Sequence, residues 1–237
     1  KSAGAGGWRV CIVDSADEMN ANSANALLKV LEEPPAKSLF LLVSHQPGRL
    51  LPTIRSRCRQ LPMPALSSSA MDQVLSANGA DLSADDIAAI YVLAEGSAGR
   101  ALTIASGDGL ALYRSMVGLI CQLPRPDIAA MHALADKAAR RGAEQTFDIL
   151  IDLMRDWIAR AVRQGAGGPP NPDIVPGESA AMAKFVHGGN LDRWVEVWEK
   201  IGELATRAEA LNMDRKLVIL NAFSMLEAAA SGMAQSA

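Results

Sequence analysis

Two unbroken apolar runs near the start of the chain set the first expectation. Residues 8–13 lead into Asp14, and Leu39 to Val43 lead into Ser44. Continuous runs of this kind, rather than alternating ones, suit strands in a sheet covered on both faces. Between them Ala24, Leu27, Leu28 and Leu31 recur at helical spacing, so one face of a helix is to be buried. Asn20 or Asn22 is placed to cap that helix, and Pro34 ends it. The pattern predicts a buried strand, a crossover helix and a second buried strand. Leu50 to Arg57 reads as a short helix and Cys58 to Leu61 as a last strand, with Pro62 and Pro64 marking a boundary.

Beyond Pro64 the period is helical throughout. Ser67 to Ala77 is one predicted helix, interrupted at Asn78-Gly79. Ser83 caps the next, with Asp86 three residues on and Ile87, Ile90, Tyr91 and Leu93 as its apolar face. Gly96 to Leu102 opens a third, and Gly107-Asp108-Gly109 reads as a hinge. Phe147, Leu150, Ile151, Met154, Trp157, Ile158 and Ala161 form a long stripe before a Gly/Pro-rich loop over 164–177. Leu191, Trp194, Trp198, Ile201, Ala205 and Ala208 make a narrow seam. A last helix from about Met213 shows Leu217, Ile219, Leu220, Phe223 and Leu226 on a wide face.

Composition narrows the function classes. The 237 residues are 49% hydrophobic and 21% charged, which excludes a disordered chain. Aromatics are 4%, so the core is built from small and aliphatic side chains and favours closely packed helices. The net charge of −3 provides no global field for nucleic acid, and any DNA contact is expected to be weak or local and mostly to phosphates. No apolar run reaches the roughly 20 residues needed to span a bilayer, so no membrane role is expected. Cys11, Cys58 and Cys121 have neither zinc nor disulfide spacing and suit a reducing cytoplasm, with Cys11 buried in its strand. His45, His132 and His187 are scattered without metal spacing.

The chemistry-bearing positions lie in the first quarter. Asp14 stands at a strand's carboxyl end, where open α/β sheets bind ligands. The stretch Asn25-Ala-Leu-Leu-Lys-Val-Leu-Glu-Glu-Pro-Pro35, followed by Ser56-Arg57-Cys58, resembles the clamp-loader branch of the AAA+ ATPases, whose hallmark is the Ser-Arg-Cys box. Leu211 to Lys216 also resembles a segment near the carboxyl end of such subunits. The resemblance implies an α/β plus all-α, mostly helical protein: a partial AAA+ sheet over 1–63, a three-helix lid over 64–108 and a helical collar for oligomerisation over 109–237. It makes Asp14 a degenerate Walker B acid and Ser44 the sensor 1 position. It makes Arg57 an arginine finger that reaches ATP held by the neighbouring subunit. Partners implied are the loader's motor subunits and delta subunit in a hetero-pentameric ring, with the sliding clamp a further candidate. No cofactor is expected in this chain. ATP and magnesium belong to the neighbours, and the family's four-cysteine zinc module would lie upstream of Lys1.

Three functional readings follow. Active relatives carry a second acid directly after the first, to polarise the attacking water. Here that position is Ser15, whose hydroxyl is no base near neutral pH without an activating partner. Asp17 and Glu18 lie past the strand end and out of register. The leading reading is therefore a non-hydrolysing subunit that scaffolds the ring and supplies Arg57 in trans. The alternatives are an active ATPase whose phosphate loop lies upstream, and a helical adaptor with no nucleotide role. In the lid-like segment Gly99 takes the place of the sensor 2 arginine and Arg100 follows it. Glu32 and Glu33, at a helix end where the dipole disfavours acids, read either as a solvated end or as a contact between subunits.

Overall fold

The computed structural model describes residues 7–106, 108–187 and 191–234, with side chains to residue 231. The Gly107 of the predicted hinge lies outside the described residues. The chain divides into two units, Lys1–Met63 and Pro64–Ala237.

In the first unit, β1 (Arg9–Val13), α1 (Ala21–Glu32) and β2 (Ser38–Leu42) form the predicted strand–helix–strand. The two strands pair in parallel, with Val10 opposite Leu39 and Ile12 opposite Leu41. Asn20 caps α1, its Oδ1 accepting from the Ser23 amide at 2.9 Å. A one-turn α2 (Pro52–Arg55) follows, with Ile54 buried as the unit's largest core side chain. The strands are not buried. Val10, Ile12, Leu39 and Leu41 are all exposed on one face, and Cys11 is exposed on the other. The unbroken apolar runs suit a sheet covered by helices on both faces, but the described sheet has two strands and leaves these side chains uncovered. Cys58 to Leu61 forms no strand. Its chain runs straight into Pro62 and Pro64, which supply no amide to a ladder.

The second unit is all helix among the described residues: α3 (Ser68–Ala77), α4 (Ala84–Ala94), α5 (Ala98–Ser106), α6 (Gly109–Ile120), α7 (Ile128–Ala139), α8 (Glu144–Gly165), α9 (Glu178–Val186), α10 (Leu191–Ala210) and α11 (Arg215–Ala234). Local signals start them. Ser67 and Ser83 cap α3 and α4, and the Ser83 hydroxyl also donates to Asp86 at 2.8 Å. Gly96 lies between α4 and α5 with φ +80°, and a Cβ there would meet that of Ala65 at 2.4 Å, so the turn admits only glycine. One continuous apolar cluster runs from Met71 to Ala230.

Helix α8 is the hub, packing against α6, α7, α9 and α10. Its predicted stripe, Phe147 to Ala161, is wholly buried. Trp157 meets Phe185 edge to face at 5.4 Å, and Phe185 meets Trp194 likewise at 5.0 Å. The Trp194 indole N–H is satisfied by the Phe185 carbonyl at 2.8 Å. On α11 the predicted face is turned slightly: Leu217 is exposed and Val218 is buried in its place.

Amid this apolar core lies a charged group that periodicity did not indicate. Arg160 of α8 and Glu178 of α9 are buried, at 4% and 0% exposure, and pair at 3.3 Å. Tyr113 of α6 donates to the same Glu178 oxygen and accepts from Arg160 at 2.6 Å. Burial holds the Tyr113 phenol well above its ordinary pKa, so it stays protonated and remains a donor. The other Glu178 oxygen accepts the amides of Ile174 and Val175 at 3.0 and 3.2 Å, and Arg160 reaches Asn171 and the Pro172 carbonyl. The network thus pins the loop between α8 and α9. Removing one partner strands the other in a dry interior. We expect Glu178→Leu or Arg160→Met to lower the unfolding free energy by about 3 to 5 kcal/mol. The double replacement should recover much of the loss, because no charge is then left unpaired. Urea denaturation of the single and double variants measures this.

Candidate functional site

The parallel pairing places the ends of β1 and β2 side by side. The ladder continues past the strands, with the Val43 amide donating to Val13 at 2.9 Å and the Ala16 amide donating to Val43 at 2.8 Å. Asp14 and Ser44 therefore lie along one carboxyl edge of the sheet. Asp14 is exposed and Ser44 is half-buried, its hydroxyl enclosed without a hydrogen bond of ordinary geometry. Ser15, in the place of a catalytic acid, adopts a left-handed conformation with φ 54° and starts a single 3-10 turn over Ala16–Glu18.

That turn delivers Asp17, which sequence reasoning passed over as out of register. Its two carboxylate oxygens accept the amides of His45 and Gln46 at 3.2 and 3.1 Å. Desolvation alone would raise its pKa. The amides of Asp17 itself, His45 and Gln46, together with the nearby Ser44 hydroxyl, outweigh it and hold the carboxyl below its usual range. Asp17 thus staples the exit of β1 to the exit of β2 and sets the path of the chain beyond Ser44. A shallow cleft beside it is lined by Met19, Asn25, Arg49 and Ile54.

Arg57 is not at this edge. It follows α2 and is exposed, its Nη1 donating to the Thr53 carbonyl at 2.9 Å and its Nη2 to Glu32 at 2.8 Å. Glu32 is the last residue of α1. Arg57 therefore contacts the end of α1 opposite the one that follows Asp14. The structure brings Asp14 and Ser44 together and holds Arg57 apart. It also gives Glu32, its side chain 51% exposed, an ion-pair partner within this chain. In the second unit Arg100, beside the sensor 2 place, is engaged in an ion pair with Asp156 of α8. Among the described residues no cluster of His, Cys, Asp and Glu could hold a metal ion. No helix there is long and apolar enough to cross a membrane.

The features to compare are a strand–helix–strand with Asp14 and Ser44 at its carboxyl edge, a Ser-Arg-Cys box and a large helical second unit. Comparison with known proteins makes the kinship specific. Residues 1–67 match the family described as "DNA polymerase III, delta subunit". The DNA polymerase III subunit delta' of Pseudomonas aeruginosa is 40% identical over 164 residues, covering 69% of this chain and 48% of that protein. Its counterpart in Escherichia coli is 33% identical over 187 residues, covering 78% of this chain and 54% of the other. The chain is a homologue of these delta-prime subunits, and it spans about half the length of the curated relatives it matches. A looser likeness, with a TM-score of 0.43 and 19% identity, extends to a gamma subunit-related protein of DNA polymerase III from Thermotoga maritima, over 94% of this chain and 73% of the other.

The staple role of Asp17 has a direct test. Its depressed pKa means that its contribution is present near neutral pH and is lost as the pH falls through the folded-state value, below the ordinary 3.8. Asp17→Ala is expected to expose the His45 and Gln46 amides at pH 7, and acid should do the same in the parent chain. Hydrogen exchange read residue by residue should show both amides accelerating while those of β1 and β2 stay protected.

Proposed function

We propose that this chain acts as a clamp-loader subunit in bacterial DNA replication. In this reading it is cytoplasmic, scaffolds a hetero-pentameric ring with motor and delta subunits, and does not itself hydrolyse ATP. It donates Arg57 to the nucleotide bound by the neighbouring subunit. The observation that carries the reading is the pairing of Arg57 with Glu32, at the end of α1 opposite the one that follows Asp14. An exposed guanidinium anchored there is available to a phosphate presented by another subunit. Ser15 adds support, since a left-handed serine stands where an active site needs an acid. The homology with delta-prime subunits supports the class of assembly. ATP and magnesium then belong to the neighbours, and the sliding clamp and DNA are met through the ring.

In the transition state of phosphoryl transfer, charge spreads over the γ-phosphate oxygens. An arginine has five N–H donors in a planar fork, and two are used here by Thr53 and Glu32, leaving three for a phosphate. Such a contact, made mostly in the transition state, lowers the barrier more than it tightens ATP binding. The test is a reconstituted loader carrying Arg57→Ala in this subunit alone. Turnover at the one neighbouring site should fall by about 10³, with its ATP affinity little changed, so the complex loses part of its clamp- and DNA-stimulated hydrolysis. Lysine should rescue poorly, because it lacks the fork. Unchanged hydrolysis and clamp loading in an intact complex would refute the finger and favour the adaptor reading. Steady-state hydrolysis by this subunit on its own would favour the active ATPase.

A further inference from the structure

We infer that Glu32 is a positioning residue for Arg57: the last side chain of α1 holds the guanidinium in place for a phosphate on a neighbouring subunit. The inference rests on the reading of Arg57 as a donor in trans. Its own support is geometric. Arg57 would otherwise hang from a one-turn helix with freedom about four side-chain bonds. Two contacts from different elements fix it instead, Nη1 to the Thr53 carbonyl in α2 and Nη2 to Glu32 Oε1 in α1. Two anchors determine the plane of the fork, where one would leave it swinging. Glu32 also explains its own placement. An acid at a helix's carboxyl end is disfavoured by the dipole, and here the cation of Arg57 offsets that repulsion.

The pair does not mask the arginine. Among the described residues only one Glu32 oxygen is engaged, and the Arg57 side chain remains 36% exposed and that of Glu32 51% exposed. An exposed pair of this kind is weak and screened by salt, so an incoming phosphate bearing several charges can share the fork or draw it away. The negative charge of Glu32 has a second effect. It offsets the cation while no nucleotide is near, which lowers the attraction of stray anions to the site.

The experiment uses a reconstituted loader carrying Glu32→Gln, Glu32→Ala or Arg57→Ala in this subunit, and the Glu32→Ala/Arg57→Ala double variant. ATP turnover and KM are measured for each, with complex formation as the control. Turnover in Glu32→Ala should fall by about three- to tenfold, the scale of losing one exposed charged contact, with KM nearly unchanged. Gln keeps an acceptor without the charge and should retain most of the activity. In the Arg57→Ala background, Glu32→Ala should have no further effect, because the group it positions is gone. If Arg57→Ala reduces turnover and Glu32→Ala does not, the positioning role fails and the finger stands. If Arg57→Ala itself has no effect, the finger reading fails first. An additive loss in the double variant would show that Glu32 acts through the fold. A rise in turnover would make it a restraint, and either result overturns the inference.

Discussion

A parallel pair of strands cannot be joined by a turn. The chain must travel back to the starting edge, and here α1 makes that journey. The functional layout depends on this requirement. One end of α1 follows Asp14 and the 3-10 turn at the carboxyl edge, where Asp17 ties the two strand exits together. The other end, Glu32, meets Arg57. A single rigid element thus assigns an acid and an arginine to opposite ends of the unit. The placing of the two at opposite ends of α1 is in this sense a consequence of strand direction.

The helical unit has a different logic. Its helices are stitched by an apolar core, but its long connection between α8 and α9 has no hydrophobic pattern of its own. Arg160 and Glu178 supply the order that packing does not, by satisfying loop amides and carbonyls from within the core. A buried pair is a poor source of net stability, and its value lies in fixing one arrangement. Surface pairs add to this: Arg163 with Glu95 at 2.7 Å, Lys137 with Asp108 at 3.1 Å, and Lys216 with Asp136 at 2.6 Å connect helices distant in sequence. Arg100 belongs to the same scheme, and its guanidinium is committed to Asp156.

What was legible in the chain follows the range of the forces involved. The cap at Asn20, the Ser83–Asp86 box and the stripe on α8 depend on residues three or four apart, and the structure has them where the spacing places them. The Ser-Arg-Cys box marked Arg57, though only the fold shows that Glu32 is its partner, 25 positions away. Asp17 gave no sign of its stapling role, because register along a strand says nothing of the turn that swings it back to His45. Tyr113, Arg160 and Glu178 carry no signal, since a buried charge differs from a surface one only through tertiary contacts. The apolar runs gave strands but not their burial. Hydrophobicity tells what a side chain would prefer, and coverage depends on which other elements are there to provide it.

The uncovered sheet also bears on how the molecule behaves in solution. Among the described residues each strand has one neighbour, and Val10, Ile12, Leu39 and Leu41 are exposed on one face. Such a surface is a template for one more strand from any source, including another copy. Self-association of that kind rises with concentration, so dilution decides how far it proceeds.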